Sequence, residues 1–311
     1  MRKDRKQKKG KRWLKVTGII LLLLVIGAGT YAFTVYKSLT NAVDTMHQPI
    51  EREKSDKRPE EITLTNKEPF SVLMLGVDER AGDRGRSDTM IVLTVNPNQN
   101  SIKMLSIPRD TRTDIIGRDT VDKINHAYAF GGEEMSMATV ENLLDIPIDY
   151  YIKVNMEGFK DVVDAVGGIQ VNNNLEFTQE GYRFTKGQIN LNGDQALSFV
   201  RMRYEDPNGD FGRQERQRQV IQGVIKRGAS FSSLTNFGNI FDALGKNVRT
   251  NVTFDEMLDI QKNYKTAAGS IDQLQMTGQG TKISGIYYLM VPNEQIQSIQ
   301  SELKTHLEIE E

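Results

Sequence analysis

Short apolar runs alternate with amphipathic ones along most of this 311-residue chain. "FSVLMLGV" (70–77) is an unbroken apolar stretch running into Asp78, the pattern of a strand buried on both faces. "TMIVLTV" and "SIKMLSI" flank the turn-forming "NPNQN" and predict a hairpin. In "EEMSMATVENLLD" the apolar positions recur with a helical period, so that Met137, Val140 and Leu144 share a face. "DYYIKV" predicts a strand, "MEGFKDVVDAVGG" a helix closed by its glycines, and "FDEMLDIQKNYKTA" a helix with acids in its first turn. "QLQMTGQGTKISGIYYLMV" predicts a hairpin turning at Gly278–Gly280, and "NEQIQSIQSELKTHL" a closing helix. "LNGDQALSFVRMR" fits both periods. A strand would place Arg201 and Arg203 on one face. A helix capped by Asn192 would gather Ala196, Leu197 and Val200 and leave Arg201 near its end; the helix is preferred. Strands interleaved with helices predict an α/β fold, a single α-β-α layered domain with a mixed central sheet.

The N-terminus has a different pattern. Residues 1–12 form a basic tail, and residues 16–35 then run without a single charge. A helix of that length is roughly 30 Å long, enough to cross a hydrocarbon core. The expectation is a single-pass transmembrane helix over 13–36, with the basic tail cytoplasmic and everything after Tyr36 outside the cell membrane. Residues 37–66, charged and poor in aromatics, read as an extracellular stalk, and 67–311 as the folded domain.

Charge follows the same division. Residues 1–37 hold ten Lys/Arg and one acid, leaving thirty basic against forty acidic residues in the remainder. An acidic outer domain does not suit non-specific nucleic-acid binding, so no nucleic-acid partner is expected. Without cysteine there are no disulfides, thiolate metal sites or Cys nucleophile, and three histidines build no HExxH site. Any metal would have oxygen ligands, which points to Mg²⁺ or Mn²⁺.

Four segments interrupt the apolar pattern with charge. "GVDER" offers Asp78 and Arg80; "GDRGRSDTM" offers Arg86 and Asp88; "SIPRDTR" offers Arg109 and Asp110 at a strand's carboxyl end, where open α/β sheets bind ligands. "FVRMRYEDPNGDFGRQERQRQ" (199–219) adds five arginines. As a helix its last part puts Arg213 and Gln217 on one face and turns Arg218 to solvent, with Arg216 between. Carboxylates and guanidinium forks together suit a phosphate or diphosphate with a bridging divalent cation. Singly, the aspartates read equally well as turn residues, the loop arginines as solvated charge, Lys123 as a partner of Asp122 or Asp119, and His126 as a packed or capping histidine.

"GVDER", "RSDTMIVLTVNP", "KMLSIPRDT", "KINHAYAFGG" and "ALSFVRMRYEDPNGDFGRQERQRQ" occur in this order behind the apolar segment, and the chain over 69–230 resembles the LytR-CpsA-Psr family. The resemblance implies transfer of an anionic glycopolymer, wall teichoic acid foremost, from a polyprenyl-pyrophosphate carrier to the N-acetylmuramic acid C6 hydroxyl of peptidoglycan, releasing polyprenyl phosphate. It implies Asp78 and Asp88 as Mg²⁺ ligands and Arg80, Arg109, Arg201, Arg203 and Arg213, with Lys123 and Gln217, on the pyrophosphate. Asp88, Arg109 and Arg213 are the expected catalytic residues, and either Asp88 or Asp110 the general base. The residues also admit a Mg²⁺-dependent lipid-pyrophosphate hydrolase and a non-enzymatic wall-polymer-binding protein or regulator.

Overall fold

The computed structural model of the chain describes residues 43–52, 54–78, 85–230 and 247–309, with a few scattered positions besides. The apolar segment expected to cross a membrane lies almost wholly outside the described residues, as does Arg80. Among the described residues no helix is long and apolar enough to cross a membrane.

A six-stranded mixed sheet forms the centre, in the order β11-β6-β1-β2-β3-β12. β1 (Phe70–Val77), β2 (Ser87–Asn96) and β3 (Ser101–Ile107) form an antiparallel meander. β6 (Tyr150–Val154) joins β1 and β12 (Ser270–Gln275) joins β3 in parallel, while β11 (Val248–Thr250) closes one edge antiparallel to β6. The two-residue period of each strand sorts side chains to two cores. From β1, Leu73, Leu75 and Val77 pack against α1 (His126–Leu144) and α6 (Asn293–Leu307). Phe70 and Val72 face the other way, towards α4 (Asp210–Ala229) and α5 (Phe254–Asn263). Met137, Val140 and Leu144 are fully buried on the expected face of α1, which begins earlier than the sequence pattern implied and kinks at Gly132.

A third core lies beside the sheet. It is built by α2 (Met156–Ala165), the antiparallel pair β7 (Ile169–Asn173) and β10 (Gly187–Leu191), and α3 (Gly193–Arg201). The helix alternative for "LNGDQALSFVR" is the one adopted. Asn192 accepts from the Gln195 amide, and the Gln195 side chain returns the bond to the Asn192 N–H.

Three expectations need correction. Residues 43–66 are packed on the domain rather than extended as a stalk: Met46 is buried against Val248, Arg52 pairs with Glu141 at 2.6 Å, and Arg58 with Asp149 at 2.8 Å. Charge alone suggested solvent, but these guanidiniums have buried carboxylate partners in the domain. Next, the C-terminal hairpin does not turn at Gly278–Gly280. "SIDQLQ" is drawn into the main sheet by β3, and the hairpin is β13 (Gln279–Ile283) with β14 (Ile286–Met290), turning at Ser284–Gly285 where φ is positive at both residues. Lastly, Arg218 is not solvated. It is 5% exposed and donates to Gln273 and Ser106 at 3.0 and 3.1 Å, while Arg216 is 6% exposed and pairs with Asp206.

Candidate active site

Strand direction assembles the site. Because β2 runs against both β1 and β3, the end of β1, the start of β2 and the end of β3 meet at one edge of the sheet. Met90 pairs with Ile107, and continuing that register two residues places Asp88 opposite Arg109. Arg109 Nη1 lies 3.0 Å from Asp88 Oδ1. Asp78 follows β1 at the same end. Arg109 Nε is 3.8 Å from Asp110, and Asp110 accepts from Lys123 Nζ at 2.7 Å, so Lys123 stands one step behind Arg109. Its ammonium therefore pairs with Asp110 rather than Asp119, while Asp122 accepts from the Lys123 backbone N–H at 2.8 Å. His126 Nδ1 lies 2.7 Å from Asp122 Oδ2, off this chain of contacts.

The N-terminal half of α4 supplies the other wall. Arg213 Nη2 is 2.7 Å from Asp210 Oδ1, and Arg203 Nε is 4.0 Å from the same oxygen. Gln217, one turn after Arg213, donates to Thr89 Oγ1 at 2.9 Å and ties the helix to β2. A Cβ on Gly76 would lie 2.9 Å from the Thr89 Cβ, so only glycine permits β1 and β2 to bring Thr89 there. Arg201, at the end of α3, pairs with Glu180 at 3.3 Å and remains 44% exposed.

Electrostatics confirm that these groups share one field. Burial alone would depress Arg109, but Asp88, Asp210 and Asp110 together outweigh it and hold the guanidinium above its ordinary pKa. Arg213 goes the other way. Burial pushes it down, Asp210 and Asp88 oppose, and the nearby charges of Arg109 and Arg203 add to the fall. An arginine does not deprotonate in a protein. The depression therefore marks a guanidinium taken out of water beside two like charges, and Arg213 Nε is buried with no hydrogen-bond partner. The arrangement attracts an anion.

An apolar cavity of about 680 Å³ adjoins the arginines, between the sheet and helices α4 and α5. Val72, Met74, Val95, Ile221, Ile225 and Met257 line its body, while Asp88, Arg201, Arg213 and Gln217 are among its polar wall.

Asp78, just after β1, and Asp88, in β2, are the carboxylates that would hold a divalent cation. Among the described residues no three carboxylates or imidazoles gather into a cage. Asp78 and Asp88 at one sheet edge would supply two oxygens and leave the remaining positions to phosphate and water, the usual way Mg²⁺ is held.

The structure thus brings together Asp88, Arg109, Arg201, Arg203, Arg213 and Gln217, with Lys123 and Asp78 adjacent. Asp210 and Thr89 are site residues that the sequence did not single out. Asp210 was legible only as a turn former, although an acid opening a helix that carries Arg213 one turn on was a usable signal.

The LytR_cpsA_psr family model matches residues 33–305. The polyisoprenyl-teichoic acid–peptidoglycan teichoic acid transferase TagU of Bacillus subtilis (strain 168) is 54% identical over 99% of this chain and 100% of its own length. The TagU of a Bacillus cereus strain is 55% identical over 93% of this chain and 96% of its own. The crystal structure of B. subtilis TagU superposes with a TM-score of 0.65 at 54% identity, covering 79% of this chain and 99% of that one. A structure of TagT bound to LIIa-WTA superposes with a TM-score of 0.73 at 32% identity, covering 85% and 100%. With residues 33–305 matched by the family model and nearly its whole length by a relative of 54% identity, the chain belongs to the LytR-CpsA-Psr family.

Proposed function

We propose that this transferase moves an anionic glycopolymer, wall teichoic acid, from a polyprenyl-pyrophosphate carrier to peptidoglycan at the outer face of the cell membrane. The observation that carries the reading is a cluster of half-buried arginines set against an apolar cavity. Arg109 and Arg213 bind the diphosphate oxygens, with Arg201, Arg203 and Gln217 beside them and Lys123 holding Asp110 and so Arg109 in place. The polyprenyl chain enters the cavity between the sheet and α4. The apolar segment within 13–36, as a membrane anchor, keeps the domain beside its lipid.

In the reaction the acceptor hydroxyl oxygen, on C6 of N-acetylmuramic acid, attacks the polymer-side phosphorus. That P–O bond forms as the anhydride P–O bond breaks, and polyprenyl monophosphate leaves with the electron pair. Both oxygens of Asp110 face cations, Oδ1 on Lys123 and Oδ2 towards Arg109, whereas Asp88 gives Oδ1 to Arg109 and is 41% exposed, so its Oδ2 is the one that takes the hydroxyl proton. Arg109 and Arg213 offset the charge that grows on the phosphoryl oxygens. Asp78 and Asp88 would hold Mg²⁺, which supplies further charge neutralisation when bound.

The test uses the purified chain, a synthetic polyprenyl-pyrophosphate glycan, Mg²⁺ and polymer-stripped peptidoglycan, with both products followed by mass spectrometry. Polyprenyl monophosphate appearing with a phosphodiester-linked glycan is the expected result. Monophosphate with only free glycan phosphate would establish a hydrolase instead, and lipid retained without turnover a binding protein.

A further inference from the structure

On the side of α4 away from the arginines, a second and larger cavity of about 1070 Å³ opens between that helix and the β7–β10 pair. Nearly half of the described residues that line it are asparagine or glutamine. The strands show why. Ile169, Val171 and Leu191 face the core, while Gln170, Asn172, Gln188 and Asn190 alternate outwards and are exposed. The register pairs Gln188 with Asn172 and Asn190 with Gln170, so the outer face is a two-rung ladder of carboxamides. Exposed strands favour threonine and other β-branched residues, and asparagine is depleted there. Asparagine at two of the four outward positions, Asn172 and Asn190, runs against local preference, and such conflicts concentrate at functional surfaces.

Helix α4 borders the same cavity, packing on the core face of β7, where a Cβ on Gly223 would come within 3.1 Å of Ile169. It contributes Gln219 and Gln222. These amides are poorly occupied. Gln219 Nε2 and Asn174 Nδ2 both reach Glu215 only at 3.4 Å, and Gln170 reaches Asn190 at 3.4 Å, the outer limit of a hydrogen bond. Gln219 Oε1 is buried with no partner at all.

We propose that this groove binds an uncharged saccharide strand. A carboxamide offers two donors and an acceptor in one plane, matching vicinal hydroxyls and acetamido groups. Charge decides against a polyanion: two acids, Asp164 and Glu215, balance two bases, Lys226 and Arg227, among the described lining residues. A phosphodiester chain would meet no net positive field and would lie against Glu215. The groove and the arginine site share α4, with Glu215 and Gln219 on one flank and Arg213 and Gln217 on the other. The choice of a wall glycan as probe rests on the proposed acceptor, but binding is read without turnover.

The experiment titrates the full-length chain in detergent with an N-acetylglucosamine–N-acetylmuramic acid tetrasaccharide whose lactyl carboxyls are capped as amides, and so uncharged, and, separately, with poly(glycerol phosphate), by calorimetry. Saturable binding of the tetrasaccharide is expected, weakened about tenfold in Asn172→Ala/Gln188→Ala through the loss of two hydrogen-bonding side chains. These residues are exposed, so the fold is retained. Arg213→Ala should bind the tetrasaccharide like the wild type while losing transfer, which separates this groove from the transfer reaction. No saturable binding, or unchanged binding in the double variant, overturns the proposal. Poly(glycerol phosphate) binding that the same variant weakens would assign the groove to the anionic polymer instead.

Discussion

Arg213 is 14% exposed, in the company of Arg109 and Arg203, with its Nε unpartnered. The wild-type protein tolerates that crowding because Asp210 and Asp88 neutralise part of it. Arg213→Ala should cost little stability, since it relieves repulsion as well as removing an ion pair. Loss of one group that stabilises transition-state charge should lower the transfer rate about a hundredfold or more. Steady-state transfer and a thermal melt on the same preparation check both halves, and a variant that melts much earlier would remove the case for a catalytic role. His306 carries a different prediction. It is 1% exposed, within 2.7 Å of Thr94 Oγ1 and 2.9 Å of Ser101 Oγ. Burial, aided by the Lys103 ammonium, pushes the imidazole down to about 4. The unfolded chain takes up this proton near pH 6.5 and the folded one does not, so stability falls as pH drops from about 6.5 to about 4 and is level below. The loss is up to about 3 kcal/mol from this group. Urea midpoints measured across that range should show the slope in the wild type and a shallower one in His306→Gln.

At the scale of elements, α4 does two jobs on alternate positions. Arg213 and Gln217 face the anion site, while Arg216 and Arg218 turn into the domain. Arg216 donates to Asp206 and to the Met202 carbonyl, both at 2.5 Å, and its guanidinium lies 5.5 Å from the Phe177 ring. It therefore clamps the "MRYEDPNGD" connection between α3 and α4, and with it Arg203 and Asp210. Gly212 is the fitted counterpart: a Cβ there would fall 1.9 Å from Asp206 Oδ2. Gly212→Ala must displace Asp206 and leave Arg216 charged and buried without its partner, at about 3–5 kcal/mol. Gly228→Ala on the same helix meets nothing within 4 Å and should instead stabilise by about 1 kcal/mol or less. Opposite shifts of the melting temperature check the pair, and similar shifts would refute the clamp. The helical period of 199–219 was readable, and it correctly grouped Arg213 with Gln217. Which side faced solvent was not, because burial of Arg216 and Arg218 depends on Asp206, Ser106 and Gln273, and nothing local announces those partners. The same reason hid the C-terminal turn: "SIDQLQ" has the alternation of a hairpin strand, and only the free edge of β3 diverts it.

For the molecule as a whole, the sheet and its layers were legible because β1, β2 and β3 are buried on both faces and carry near-continuous apolar runs. The cavity was not, since its walls come from the strands, α2, α4 and α5, and each wall residue in isolation has the character of core. Yet in the proposed reaction the cavity is what joins the diphosphate site to the lipid carrier. A sheet face closed tightly by α4 would bury the same residues and stabilise the fold further, so the unfilled volume is a departure from close packing that function must explain. Ile221 is the place to test it, half-buried on α4 and on the cavity wall one turn after Gln217. Ile221→Trp adds bulk that enters empty space rather than packed core, so the overpacking cost is small and the domain should melt close to the wild type. The added ring occupies volume the polyprenyl chain would need. A long-chain polyprenyl-pyrophosphate glycan should then show a raised KM, while a short-chain analogue of a few isoprene units keeps the wild-type value. Equal effects on both substrates would mean that the arginine site had been disturbed. No effect on either would mean that the chain binds elsewhere.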